Sequence, residues 1–271
     1  MQAWRSGCYI LIIAVLSACS SAVRKNPLAE WSPSSNFDQH RPRLVVLHAT
    51  EMDSADAALA VLKSQNPSGR VSANYLISED GKIFQLVEDS KRAWHAGAGR
   101  WHGMNDINSV SIGIELDNDG QEAFPDVQIE ALLVLLADLS SRHALLASAV
   151  IGHGDMAPTR KRDPGILFPW RRLAEAGFGL WYADDLPEAP AYFDTAMALQ
   201  AVGYDTRDMP AAVKAYKRRF RGVEATELDA LDASILYSLL EQMRNNPTQR
   251  LSEKKPLVID SADGTTHAPI Q

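Results

Sequence analysis

The chain has 271 residues and a formal net charge of −7, enough length for one large domain and a small one and a charge that argues against a nucleic-acid partner. Its only two cysteines, Cys8 and Cys19, both lie near the N-terminus, so a fold held by disulfides is excluded and stability must come from an apolar core or a metal. The N-terminus has the layout of an export signal. Arg5 supplies a weak positive region, residues 8–18 are apolar, and the small residues Ser17 and Ala18 stand just before Cys19. The apolar stretch is too short to span a bilayer, which takes roughly 20 residues.

Leu16-Ser17-Ala18-Cys19 resembles a bacterial lipobox. The resemblance implies cleavage before Cys19 and lipid on its thiol, and Ser20 at the next position favours the outer membrane, with the protein facing the periplasm. Loss of residues 1–18 removes Arg5 and takes the net charge to −8. Residues 19–42 are polar and punctuated by proline, and read as a tether. Leu44-Val45-Val46-Leu47 is a continuous apolar run ending at His48, the pattern of a strand buried on both faces. Asp53 or Ser54 caps a helix to about Gln65, with Ala57, Leu59, Val61 and Leu62 as its buried stripe. Residues 74–78 and 82–87 form a hairpin about Glu79-Asp80-Gly81. A long loop, residues 88–110, carries Arg92, Trp94, His95, Trp101 and His102.

Ser111 to Leu116 alternates, placing Ile112, Ile114 and Leu116 on one face and Glu115 on the other beside Gly113. A helix covers residues 126–142, a short strand Val150-Ile151 leads to His153, and Pro169 opens a helix to Ala176. Strands alternating with helices predict an α/β domain with a mixed central sheet. The loop of residues 152–165, irregular from Gly154 onward, holds His153, Asp155, Lys161 and Asp163. Two strand-end histidines, an aspartate, an inward-facing carboxylate and a lysine are the parts of metal-assisted amide hydrolysis. Taken singly, each histidine reads first as a hydrogen-bonded core residue, and it is their company that reverses this; Glu115 has a solvated strand residue as its lesser alternative. No His-Glu-X-X-His helix is present.

His48-Ala49-Thr50-Glu51, Asn74-Tyr75-Leu76-Ile77, Arg92-Ala93-Trp94-His95-Ala96-Gly97, Ser111-Ile112-Gly113-Ile114-Glu115-Leu116 and residues 152–165 occur in this order. Together they resemble the zinc-dependent N-acetylmuramoyl-L-alanine amidases of the amidase 2 family, whose fold is that of T7 lysozyme and the peptidoglycan recognition proteins. With the lipobox they resemble its AmiD-like lipoprotein branch. The resemblance implies one zinc ion on His48, His153 and Asp163, Glu115 as general base, and Lys161 as the cation near the developing oxyanion. Asp155 is left to support the ligands from behind or to shape the loop. It implies substrate contacts from Arg92, Trp94, His95 and Tyr75, with Arg92 suited to a stem-peptide carboxylate. His95 and His102 form a rival zinc scheme that is set aside because both lie in the long loop and not at strand ends, Trp94 and Trp101 are sugar-stacking surfaces or core residues, and packing is an equal account of Tyr75.

After residues 43–182, assigned to the amidase domain, three short amphipathic helices occupy residues 191–244, and residues 245–271 form a polar tail. Leu199-Gln200-Ala201-Val202-Gly203-Tyr204, Ala212-Val213-Lys214-Ala215-Tyr216 and Leu228-Asp229 resemble the three-helix peptidoglycan-binding domain, with Lys217 where that family more often has glutamine. The expected partners are peptidoglycan or its muropeptides, and a membrane through Cys19. A recognition protein without catalysis, or a tether between outer membrane and wall, is the competing reading.

Overall fold

The apolar run ahead of His48 becomes the centre of a sheet, as its lack of polar alternation requires. The computed structural model describes residues 25–39, 42–64 and 69–245. The leader, Cys19 and the C-terminal tail lie outside the described residues. Among these residues the strands are β1 (Glu30–Trp31), β2 (Asp38–Gln39), β3 (Leu44–Ala49), β4 (Tyr75–Ile77), β5 (Ile83–Gln85), β6 (Lys91–Arg92), β7 (Ser111–Leu116) and β8 (Val150–Gly152). The helices are α1 (Ala55–Lys63), α2 (Asp126–His143), α3 (His153–Met156), α4 (Trp170–Glu175), α5 (Thr195–Val202), α6 (Met209–Arg221) and α7 (Ala230–Asn245). The main sheet runs β1-β5-β4-β7-β3-β8 and is mixed. β3 is parallel to β7 and β8, β4 is parallel to β7, and β4 and β5 form the antiparallel hairpin.

Parallel pairing at the centre fixes the site. His48 is opposite Glu115, and Leu47 is opposite both Ile114 and Gly152, so His153 follows at the level of His48. Three strand ends thus deliver His48, Glu115 and His153 to one end of the sheet, where crossovers leave room for ligands in open α/β folds. One face is covered by α2 through Ile129, Leu132, Leu133, Leu136 and Leu139. The other carries α1, which buries Ala58 and Leu62 against Leu76 and Phe84. The predicted stripe of α1 is shifted, since Ala57 is exposed and Ala58 takes the inward position. Ser54 caps the helix by accepting from the Ala57 amide.

Two further features depart from the sequence reading. Part of the expected tether is folded onto the domain: β1 pairs with β5, β2 with β6, and Asn26 is buried with its side chain donating to Asp138 Oδ2 at 2.8 Å. Residues 153–156 make a helical turn in the loop read as irregular, because the Asp155 carboxylate accepts from the Gly152 amide at 2.8 Å and closes the turn. The three C-terminal helices match expectation within a few residues. Asp194 and Asp208 cap α5 and α6. Inside this module Lys217, almost fully buried, pairs with Asp232 at 2.7 Å and Asp229 at 3.2 Å.

On the α2 side of the sheet Asp89 is buried and accepts from Tyr75 (2.5 Å) and Arg142, and pairs with His143 (2.9 Å). Burial alone would raise the Asp89 pKa, but the hydrogen bonds from His143 and Tyr75 and the Arg142 charge outweigh it and hold the carboxyl below its ordinary value. A folded-state pKa below the unfolded one contributes stability above the unfolded value, near 3.9, that is lost as pH falls through the folded one. Asp89→Asn is therefore expected to cost roughly 2–3 kcal/mol at pH 7. Urea unfolding should show that difference shrinking below about pH 4, where the wild type loses the same carboxylate.

Candidate metal centre

His48, His153 and Asp163 are nearly inaccessible, at 2%, 3% and 5% exposure, and they point at one spot. The Nδ1 atoms of His48 and His153 are 3.0 Å apart, and Asp163 Oδ2 lies 3.2 Å from the first and 3.0 Å from the second. What this cluster can hold depends on where the ring protons are, and the outer hydrogen bonds answer that. His153 Nε2 faces the Ala96 carbonyl oxygen at 2.9 Å, which only accepts, so Nε2 carries the hydrogen and Nδ1 of the neutral ring presents a lone pair.

For His48 the proton is fixed by a longer chain. The Ser111 hydroxyl donates to the Ile107 carbonyl at 2.7 Å, so toward His95 Nε2, at 3.2 Å, its oxygen accepts. His95 Nδ1 is then an acceptor, and it takes the hydrogen from His48 Nε2 at 3.0 Å. His48 Nδ1 is left with a lone pair directed at the lone pair of His153 and at the Asp163 carboxylate. Burial and the neighbouring His153 push the His48 pKa down to about 4, in keeping with a neutral ring. Asp163 Oδ1 is buried with no hydrogen-bond partner. Three buried acceptors in mutual contact repel one another unless a cation lies between them, and two imidazoles with one carboxylate are a donor set that suits zinc.

Glu115 and Lys161 line the same cavity of about 180 Å³, with Thr50, Glu51 and Met52 at its side. Burial, and next the Asp163 carboxylate, raise the Glu115 pKa to about 8. His95 lines this cavity too, but its ring is engaged by His48 and Ser111, which makes it a support for His48 before it is a substrate contact. The other sequence-predicted contacts are elsewhere. Tyr75 is fully buried on the opposite face of the sheet, where its register partner is Ile114, and its hydroxyl serves Asp89. Arg92 pairs with Asp106 at 2.9 Å and lies 4.0 Å over the Trp94 ring, and neither residue lines the metal cavity. Trp101 is a core residue, 5.0 Å from the Tyr204 ring, and His102 is not among the cavity residues.

Ser111 and Gly113 stand in one of the ordered motifs, where pattern assigns them no role, whereas both support the His95 ring. Strand alternation puts Ser111, Gly113 and Glu115 on one face, and a Cβ built on Gly113 would overlap the His95 ring. A hydroxyl, a bare backbone and a carboxylate in that order were the available signal. Asn108 completes the support by accepting from the amides of His95 (3.1 Å) and Ala96 (2.9 Å), so both second partners of the ligating histidines hang on one side chain.

Known proteins resemble this chain over most of its length. The sequence profile of the N-acetylmuramoyl-L-alanine amidase family matches residues 38–166, a span that includes all three candidate ligands. The N-acetylmuramoyl-L-alanine amidase AmiD of Escherichia coli K12 is 35% identical, over 74% of this chain and 83% of the relative. The chain belongs to the N-acetylmuramoyl-L-alanine amidase family. This amidase also resembles the AmpD of Enterobacter cloacae, a 1,6-anhydro-N-acetylmuramyl-L-alanine amidase, at 42% identity, but there it spans only 55% of the relative. Two solved structures match much of the amidase. AmiD of E. coli in complex with anhydro-N-acetylmuramic acid-L-Ala-D-γ-Glu-L-Lys superposes with a TM-score of 0.64 at 34% identity, covering 74% of this chain and 90% of that one. AmpDh3 of Pseudomonas aeruginosa in complex with an anhydromuramic pentapeptide gives 0.66 at 29% identity, covering 86% and 99%.

In the amidase the Ser111 hydroxyl sets the His48 tautomer, so Ser111→Ala is expected to weaken metal binding by about 10–100-fold. Competition with a chromophoric chelator measures this, and the far-ultraviolet dichroism should be unchanged.

Proposed function

We propose that the protein is a zinc-dependent hydrolase of the amide bond between the lactyl group of N-acetylmuramic or anhydro-N-acetylmuramic acid and the L-alanine of a peptidoglycan stem peptide. The observation that carries the reading is the convergence of two imidazole lone pairs and one carboxylate beside Glu115 and Lys161. The names of the relatives and the muramyl peptides bound in the AmiD and AmpDh3 structures supply the substrate class.

His48, His153 and Asp163 would hold the ion, which as a Lewis acid polarises a carbonyl and acidifies water to a pKa of about 7. Glu115, ionised, accepts a proton from the attacking water as its oxygen bonds to the lactyl carbonyl carbon. Lys161, which lines the same cavity, would compensate with its ammonium the negative charge that develops on the carbonyl oxygen. When the C–N bond breaks, the proton held by Glu115 passes to the alanine nitrogen, which leaves as an amine. The raised Glu115 pKa belongs to a site in which Asp163 repels it, and a dication beside Asp163 removes that repulsion and favours the ionised form. The full set of ligands and the carboxylate at the cavity favour hydrolysis over recognition alone.

The same reading takes Cys19 as lipidated and the outer membrane, on its periplasmic side, as the location, with residues 191–244 as a peptidoglycan-binding module. The lipobox-like Leu16-Ser17-Ala18-Cys19 and the helical-module motifs support these assignments. Among the described residues no helix is long and apolar enough to cross a membrane.

Mass spectrometry of a muramyl tripeptide incubated with the zinc-loaded protein should detect free peptide with an N-terminal alanine. Chelation should abolish it, and Glu115→Gln should lower kcat by about 10²–10⁴-fold with zinc retained. The wild-type rate should fall as pH drops through the Glu115 ionisation, an acid limb absent from the residual activity of the variant. An intact substrate under every condition would refute the assignment. In cells, Cys19→Ser should move the protein from the membrane fraction to the soluble periplasm.

A further inference from the structure

Asp155 is the acidic residue nearest to His153 in sequence, yet Asp163 joins the metal cluster. The difference lies in what Asp155 is bound to. It is buried at 4% exposure, and both of its oxygens are engaged: Oδ1 accepts from the Tyr204 hydroxyl at 2.7 Å, and Oδ2 from Arg219 Nη1 at 2.6 Å and the Gly152 amide at 2.8 Å. Tyr204 follows α5 and Arg219 lies on α6, so two of the three partners come from the helical module.

The approach is close and specific. The Arg219 guanidinium is almost fully buried and lies 3.8 Å over the Trp170 ring of the amidase domain. Gly203 sits so near Trp101 that an added Cβ would come within 2.5 Å of the indole, and its φ of +132° also calls for glycine. Glu224 of the module pairs with Arg162, the neighbour of Asp163, at 2.7 Å. Within the loop the Gly154 amide donates to the Asp163 backbone carbonyl at 2.8 Å, which ties the two ligand-bearing ends together. A buried carboxylate held by one guanidinium, one phenol and one amide has a single orientation, and it sets the turn from which His153 projects.

We propose that Asp155, locked by Tyr204 and Arg219, is a positioning residue of the metal centre, so that the helical module completes the site for the ion as well as being joined to it. This rests on the metal-dependent reading above. Loss of either module contact frees a carboxylate two residues from His153, loosens the His153 turn and lets Asp155 compete with Asp163.

The test uses the full mature chain and three variants. Tyr204→Phe removes only a hydroxyl and keeps the ring against Trp101, Arg219→Met removes the charge, and Lys217→Met breaks an ion pair confined to the module. Melting temperature, zinc dissociation constant by chelator competition, and kcat and KM on a muramyl tripeptide are read for each. The expected result is a zinc Kd raised about 10–100-fold in Tyr204→Phe and Arg219→Met, with kcat lowered and KM unchanged. The double variant should be no weaker than the weaker single one, since both act through Asp155. Lys217→Met should lower the melting temperature and leave zinc affinity as in the wild type. Wild-type Kd and kcat in Tyr204→Phe, or equal zinc weakening in Lys217→Met, would overturn the proposal. Failure of the wild type itself to bind zinc would instead overturn the metal reading. If Arg219→Met does not fold, Tyr204→Phe decides.

Discussion

Neutral imidazoles have one lone pair each, and the structure uses hydrogen bonds outside the cluster to decide which nitrogen keeps it. The Ile107 carbonyl orients Ser111, Ser111 orients His95, and His95 takes the Nε2 hydrogen of His48, while the Ala96 carbonyl does the same for His153. Both Nδ1 atoms thereby keep lone pairs directed at each other and at the Asp163 carboxylate, three acceptors that a cation between them would satisfy. This preorganisation matters because a buried histidine free to choose its tautomer would turn its lone pair away from another acceptor and quench the site by internal hydrogen bonding.

The sheet is what makes such a short relay possible. Parallel β3, β7 and β8 end side by side, which brings together residues more than a hundred positions apart in sequence. β7 exposes Glu115 toward the cavity, and the neighbouring β4 turns Tyr75 toward α2, where it serves the Asp89 and Arg142 network. The polar groups of the candidate metal centre and the stabilising Asp89 network are thus segregated to opposite faces of one sheet. The helical module approaches the third side, and its buried Arg219 reaches the loop between two of the ligands.

Much of this was legible in the sequence. Buried strands ending in His48 and His153, the alternation that isolates Glu115, the hairpin about Gly81 and the three C-terminal helices all follow from period and turn chemistry, and ordered motifs linked them to a known family. Misreadings arose where tertiary contacts override local pattern. Residues 30–39 look like a polar linker because short edge strands carry no apolar alternation. The turn at His153 is stabilised by Tyr204 and Arg219, about fifty and sixty-five residues away, and so cannot be read from Gly and Pro content. Arg92 and Trp94 belong to a recurrent motif but stack on each other and pair with Asp106, and motif matching cannot see which neighbour a side chain has found.

The most direct test of the central claim is X-ray absorption at the zinc edge on the purified protein, with metal content measured on the same sample. The account predicts one zinc per chain, nitrogen and oxygen neighbours at about 2.0–2.2 Å, the scattering signature of two imidazoles, and loss of the ion in His48→Ala. Zinc well below one per chain, or a spectrum unchanged in His48→Ala, would contradict it.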